Sequence, residues 1–289
     1  MATLKDIRSR IKSVKSTRQI TKAMEMVAAA KLRRAQLRVS EARPYSDRMN
    51  EMLSSLAEAS SGEIAHPFFE LRDIKKRTLV VVISDRGLCG SFNSNILRTA
   101  DNWLKQFTPA DVEIVAVGGR ALDYYGKQPF PIAANYQDWG GSLDYQMARS
   151  IVSFLTGRFS EGETDAVNVV YARYISTSKY VVTNEAYLPV EKPRTERAPG
   201  AARKEYLFEP GPEEIYSSLM PSYALTRMIS ALLDSFASEH SARMIAMNSA
   251  TNNAGEMIDD LTLNYNKARQ AQITKELLEI VSGASALTG

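Results

Sequence analysis

Leu4-Lys5-Asp6-Ile7-Arg8-Ser9-Arg10-Ile11-Lys12-Ser13-Val14 spaces its aliphatic residues by three, four and three. That rhythm keeps Leu4, Ile7, Ile11 and Val14 on one face of a helix and matches a coiled-coil seam. Further along, the stripe slips. It resumes at Ile20, Met24 and Val27, and again at Ala28, Leu32, Ala35, Val39 and Ala42. Such slips predict a buried face that migrates around the helix, as when more than one partner surrounds it. Pro44 removes a backbone donor and predicts a kink or a break, not an obligatory end. The pattern runs to about Glu58, a length of about 80 Å at ~1.5 Å per residue.

The far end of the chain answers the near end. Pro212 with Glu213 and Glu214 suits a helix start, with proline in the first turn and acids at the positive dipole end. Leu225, Ile229, Leu232 and Phe236 begin a stripe that Met247, Ala250, Ala254, Met257, Leu261, Tyr265 and Ala268 continue. It runs to about Val281, with Gly283 as the expected cap. From Ser222 to Val281 such a helix measures roughly 90 Å. That exceeds a compact domain of this size, so the two terminal helices are expected to pair and to protrude.

Charge separates the two ends. The first 38 residues hold 11 Lys and Arg against two acids, a net +9, while the whole chain is only +3. Residues 213–289 hold nine acids and five bases, a net −4. The excess positive charge is more than the partner helix neutralises, so a partner outside the hairpin is expected.

Between the helices lies an α/β pattern. Residues 60–76 read as a loop. Residues 78–84 are a β-branched apolar run typical of a buried parallel strand. A turn follows at Asp85-Arg86-Gly87, then a helix to about Phe107, a strand at 112–118 and a helix near 120–126. A weak strand at 129–135, an amphipathic helix at 142–159 and strands at 166–174 and 180–189 complete it. Five of the 11 prolines fall in 189–212, which marks an irregular connector. The expected fold class is α/β: a long antiparallel coiled coil of the N- and C-terminal helices plus a central Rossmann-like domain. The expected parts are 1–59, 60–211 and 212–289.

Composition narrows the chemistry. Hydrophobic content of 44% and charge of 24% are globular values. A single Cys excludes an intrachain disulfide and fits a reducing compartment. The longest aliphatic run, residues 79–83, is far short of the ~20 residues that cross a bilayer. No apolar stretch follows the basic N-terminus as in a secretory signal, and the chain is expected to be soluble and cytoplasmic. The turn at residues 85–90 matches neither GxGxxG nor GxxxxGK[ST], and reads first as a structural or contact turn. Cys89 has no histidine near it in sequence, since the only two are His66 and His240, so neither nucleophile nor metal chemistry is expected. Asp259-Asp260 and Glu213-Glu214 read as solvated helix faces.

The basic helix admits a nucleic-acid reading, as in a zipper protein. Against it, residues 1–44 contain no aromatic to stack on bases. An apolar stripe also interrupts the charges, and Ala28-Ala29-Ala30 favours close approach of another helix. An acidic protein surface is the better complement. A nucleotide-dependent enzyme, with its ligand in the sheet crevice, is the other alternative.

Long strings at both termini add a resemblance. Residues 5–11 (KDIRSRI), 17–31 (TRQITKAMEMVAAAK), 242–247 (ARMIAM), 265–274 (YNKARQAQIT) and 279–283 (EIVSG) resemble the gamma subunit family of ATP synthases, bacterial type. Residues 85–93 (DRGLCGSFN) look like that family's loop after its first strand. The match covers the whole chain in order and is strongest at its ends. Two residues depart from the pattern: Ser91, where relatives commonly carry a second Gly, and Asn252, where many carry Asp. The resemblance implies a rotor shaft inside a ring of three alpha and three beta subunits, with the epsilon subunit and the membrane c-ring below. It implies no catalytic, metal or cofactor site in this chain. By the same resemblance, Arg8, Lys12, Lys15, Arg18, Lys22 and Met24 lie near acidic beta loops. Arg269, Gln270 and Thr274 meet the loops that grip the shaft higher up, with Arg243 nearby. The tail from Leu277 to Leu287 sits in the upper bearing, Cys89 is near the lower beta loops and epsilon, and Phe208, Glu209 and Pro210 form the foot. The implied location is peripheral, on the cytoplasmic face of the bacterial inner membrane.

Overall fold

The computed structural model describes residues 3–59, 66–70, 72–138, 145–190 and 211–288. In chain order the elements are α1 (Leu4–Ala59), a 3-10 turn (Pro67–Phe69), β1 (Arg77–Val82), α2 (Phe92–Leu104), β2 (Val112–Val117) and α3 (Gly119–Tyr125). Then come β3 (Ile132–Tyr136), α4 (Tyr145–Ser160), β4 (Ala166–Ser176), β5 (Lys179–Leu188) and α5 (Pro212–Thr288). Helix α1 passes through Pro44 without ending, and α5 likewise contains Pro221. Gly283 does not cap α5, which continues to Thr288.

The chain divides into two compact units, one of Met1–Ala28 with Arg243–Gly289 and one of Ala29–Ala242. The larger unit is built on a five-stranded sheet in the order β3-β2-β1-β4-β5. β3, β2, β1 and β4 run parallel, and β5 returns antiparallel beside β4. That antiparallel edge is what the sequence did not announce, because the tight turn at Thr177-Ser178 looks like any other polar break. β1 lies at the centre and is buried on both faces, as its unbroken Leu-Val-Val-Val run requires.

Alternation along the strands decides which helix covers which face. Leu79, Val81 and Ile83 pack with Ile114, Ala116, Val170 and Ala172 against Phe92, Ile96 and Ala100 of α2 and Ala121 and Tyr125 of α3. Glu113 therefore points to the opposite face. There it holds Arg158 of α4 through two hydrogen bonds of 3.0 and 2.8 Å, which sets α4 over that side. Ser235 of α5 donates to Val82 O (3.4 Å) and Ser238 to Ala172 O (3.2 Å), close enough that larger residues would not fit.

α1 is joined to this body by Tyr216, whose hydroxyl donates to Leu53 O at 2.8 Å in a buried position. Its ring meets Phe69 edge-on at 5.9 Å. Tyr216→Phe keeps the ring and loses one bond, so denaturant unfolding should report a loss of about 1 kcal/mol. A loss too small to measure would mean that the bond adds nothing beyond the ring's packing.

Candidate partner interface

The smaller unit is a pair of antiparallel helix segments. Thr251 donates to Thr21 (2.8 Å), Asn248 to Glu25 (3.2 Å), and the Arg18 guanidinium lies over Gly255. Along α1 the inward positions are Leu4, Ile7, Ile11, Val14, Arg18, Thr21, Glu25 and Ala28, stepping three and four without interruption. All but Arg18 are at least partly buried. The expected slip is thus absent: the seam stays in register and turns polar at Arg18, Thr21 and Glu25. Ile20, Met26 and Val27 instead stand more than half exposed, and Met24 is only partly covered. Ile20, Ala23, Val27 and Ala30 form a second, outward stripe at helical spacing.

The first turn of α1 is closed by a reciprocal box. Thr3 donates its backbone N–H to Asp6 Oδ2 (3.0 Å), and the Asp6 N–H donates to Thr3 Oγ1 (3.3 Å). The Thr3 hydroxyl and N–H together hold the Asp6 carboxyl below its usual range. Lys22, 3.1 Å from Glu25, and then Asn248 do the same for Glu25. Arg8, Lys12, Lys15, Arg18 and Lys22 are all exposed, so the basic surface faces water.

The pairing of Thr21 with Thr251, carried down the antiparallel pair, sets Leu4 opposite Ala268, the last partly buried residue of α5 among those whose side chains are described. Every residue from Arg269 to Ser282 is exposed. Ile273, Leu277, Leu278, Ile280 and Val281 are 48–68% exposed. Arg269, Gln270 and Thr274 lie at the start of this bare stretch, and the Thr274 hydroxyl is turned back onto Gln270 O (3.0 Å). Arg243 is partly buried. Phe208, Glu209 and Pro210 lie outside the described residues, as do parts of the 189–212 connector.

Cys89 is a different case. Only 2% of it is exposed, and it belongs to the packed core with Phe92 and Ile96. Its sulfur faces into that core, and the residue before it in the turn, Leu88, stands outward with φ of 63°. The turn around it is stapled by the chain itself. Ser84 donates its hydroxyl to Arg86 O (2.6 Å) and its N–H to Asn93 Oδ1 (3.2 Å). Asp85 Oδ1 accepts from the N–H of Gly119 (2.9 Å) and of Asp138 (3.2 Å). These bonds occupy the strand end where a nucleotide loop sits in other layered folds. His66 caps the 3-10 turn through Phe68 N, and its pKa is lowered by burial. Among the described residues no cluster could hold a metal ion, and no helix is long and apolar enough to cross a membrane.

One feature of the larger unit has no local signature in the sequence. A cleft of about 490 Å³ opens between α1, β4, β5 and α5. Arg43, Asp47, Arg173, Glu185, Arg227 and Asp234 bring three charges of each sign to its walls. They come from four separate elements of the chain, so no spacing rule collects them. Burial works to raise the Glu185 carboxyl, yet Arg227 at 2.6 Å, Tyr171 at 2.9 Å and Arg173 at 3.5 Å hold it below its usual range. Burial raises the Asp234 carboxyl to about 6, against the pull of Arg43 and then Arg173.

Comparison with known proteins accords with this geometry. A family model described as ATP synthase matches residues 3–287. The ATP synthase gamma chain of Pelotomaculum thermopropionicum is 46% identical over 290 residues, covering 99% of this chain and all of the relative. Those of Desulforamulus reducens and Chlorobium phaeobacteroides are 45% and 43% identical, with 99% and 100% of this chain covered and all of each relative. Among solved structures, a chain of the Euglena gracilis mitochondrial ATP synthase (OSCP/F1/c-ring) matches with a TM-score of 0.72 at 20% identity, covering 98% of this chain and 94% of that one. A chain of the Tetrahymena thermophila ATP synthase central stalk and c-ring matches with a TM-score of 0.60 at 24% identity, covering 80% and 99%. At those identities the structures speak for the fold alone, while the sequence relatives are close along their whole length. The chain belongs to the ATP synthase gamma chain family.

Proposed function

We propose that this chain is the central rotor shaft of a bacterial F-type ATP synthase, coupling rotation of the c-ring to the conformational cycle of the catalytic beta subunits. The observation that carries the reading is the uncovered surface of its smaller unit. A two-helix seam would be complete without the outward stripe, the basic face or the bare aliphatic end of α5, and each of these asks for a surrounding protein. The three alpha and three beta subunits form that sleeve. Acidic beta loops meet Arg8, Lys12, Lys15, Arg18 and Lys22, with Met24 beside them, and opposite charge guides the contact. Arg243, Arg269, Gln270 and Thr274 face the loops above. Epsilon and the c-ring adjoin the larger unit and the foot at Phe208, Glu209 and Pro210, on the cytoplasmic face of the inner membrane.

A shaft with a basic face on one side and an aliphatic face on another is asymmetric. As it turns, each beta subunit meets a different face, and only contacts that differ between conformations shift the populations of its site. The chain itself performs no chemistry in this scheme. Purified alone it should neither hydrolyse ATP nor bind it tightly. Mixed with alpha and beta subunits it should co-purify near a 3:3:1 ratio; clear ATPase activity of the isolated chain would overturn the reading.

A chain ending at Gln272 tests the uncovered end. It loses six large aliphatic side chains, Leu287 among them, each able to contribute up to about 1.5–3 kcal/mol on full burial. Association costs and partial burial reduce that sum, and we expect retention in the sleeve to weaken about a hundredfold. Spectra of the α/β body should not change. Undiminished retention would remove the C-terminal end from the interface.

A further inference from the structure

We propose that the cleft beneath the proline segment of α1 is a proton-responsive clasp, in which residues 39–50 of α1 close on the α/β body when the Asp234 carboxyl carries a proton and loosen when it is ionised. Three features converge there. Val39, Ala42, Arg43, Ser46 and Asn50 line the cleft from α1. Pro44 lies within that stretch of α1 though not on its cleft-lining face, and without an N–H it leaves the carbonyl four residues back without its helical donor. The helix is therefore weakest where it spans the cleft. The cleft itself is large enough to admit many waters on opening, at roughly 30 Å³ each.

Every packed element presents charge to Asp234. α1 brings Arg43 and Asp47, β4 brings Arg173, β5 brings Glu185, and α5 brings Arg227 beside Asp234 itself. Glu185 and Arg227 neutralise each other at 2.6 Å. Tyr171 is pushed up to about 12, mainly by burial and the nearby Glu185, and stays neutral. Arg43 and Arg173 attract ionised Asp234 but do not offset its burial.

The sign follows from linkage. Closed, the carboxyl keeps its proton up to about 6; in water its ordinary value is 3.8. The closed cleft thus binds the proton more tightly, and closure is favoured below that window and opposed as pH rises through it. Each pH unit between those two values shifts the closing equilibrium by up to about tenfold, and the shift levels off above them.

Amide hydrogen exchange of the full chain, corrected for intrinsic rates, tests the clasp. Across pH 4.5 to 7.5, protection of residues 39–50 should fall by about tenfold or more, while the β1 amides hold steady. In Asp234→Asn it should stay flat at the acid-side level. Arg43→Met should move the transition to higher pH. The same pH profile in wild type and Asp234→Asn would overturn the proposal. If that variant does not fold, carboxyl NMR of Asp234 in the unaltered chain decides: a midpoint in the ordinary carboxylate range, or α1 amides that ignore it, overturns it equally.

Discussion

Replacing Gly118 with alanine should cost the α/β body about 4 kcal/mol or more. Gly118 ends β2 with φ 101° and ψ 140°, a region that side-chain-bearing residues enter only at a cost of about 1–3 kcal/mol. A Cβ there would also lie 2.2 Å from Ile83 O and 2.9 Å from Ile83 C. Both are backbone atoms of the neighbouring central strand, so no rotamer change relieves the overlap. Relief requires parting β2 from β1. That would break Ile83 N–H to Val117 O (3.0 Å) and Arg120 N–H to Ser84 O (3.2 Å). Against a total stability of about 5–15 kcal/mol the loss is severe. Gly162→Ala is the control, since it also has positive φ (75°) but open space around the added atom, and it should cost only about 1 kcal/mol. Denaturant unfolding followed by near-UV circular dichroism compares the two. Equal midpoints would show that the strand ends yield more readily than the geometry indicates.

Arg227→Met should cost about 3 kcal/mol at neutral pH, and the cost should shrink in acid. Arg227 donates to Glu185 Oε1 (2.6 Å), Ala186 O (2.7 Å) and Tyr187 O (3.2 Å), which ties α5 to the edge strand. Methionine fills similar volume but leaves the partly buried Glu185 carboxylate without its main partner, and that orphaned charge is the larger part of the loss. Because the Glu185 side chain is 36% exposed, water returns some of it, which holds the expected value near the lower end for buried pairs. In the wild type the depressed Glu185 carboxyl adds stability above its unfolded value, and this is lost as pH falls through the lower folded one. With Arg227 gone, burial dominates and raises the carboxyl. The penalty then stands above that raised value and is relieved as pH falls below the ordinary carboxylate range. Glu185→Gln added to Arg227→Met should recover part of the loss at neutral pH. A defect independent of pH, unrelieved by the second change, would mean that packing and not charge is what Arg227 supplies.

Local grammar revealed most of this molecule. β1 announces itself because a strand buried on both faces is continuously apolar, β2 and β4 do so through runs that are mostly apolar and β-branched, and the proline and acids at 212–214 mark a helix start in any context. The seam of α1 was harder. Ile20, Met24 and Val27 are apolar at helical spacing, and periodicity counts apolar residues without knowing which stripe has a partner. The true inward positions at Arg18, Thr21 and Glu25 are polar, so the eye follows the wrong face for two turns. Cys89 was no easier: the string around it does not tell which way its side chain turns, and the tight turn at Gly90 swings the sulfur into the core. The cleft around Asp234 was invisible because its six charges meet only after the sheet has formed.

Thr21 and Thr251, which touch at 2.8 Å, are separated by 230 residues of chain. Ribosomes deliver about 5–20 residues per second, so the first helix waits on the order of ten to fifty seconds before its neighbour exists. The sheet strands, from Arg77 to Leu188, emerge within that interval and are free to pair first. The hairpin is therefore the last part of the fold to close during synthesis. Until then its basic N-terminal arm is a newborn segment whose apolar seam is open to whatever protein meets it first.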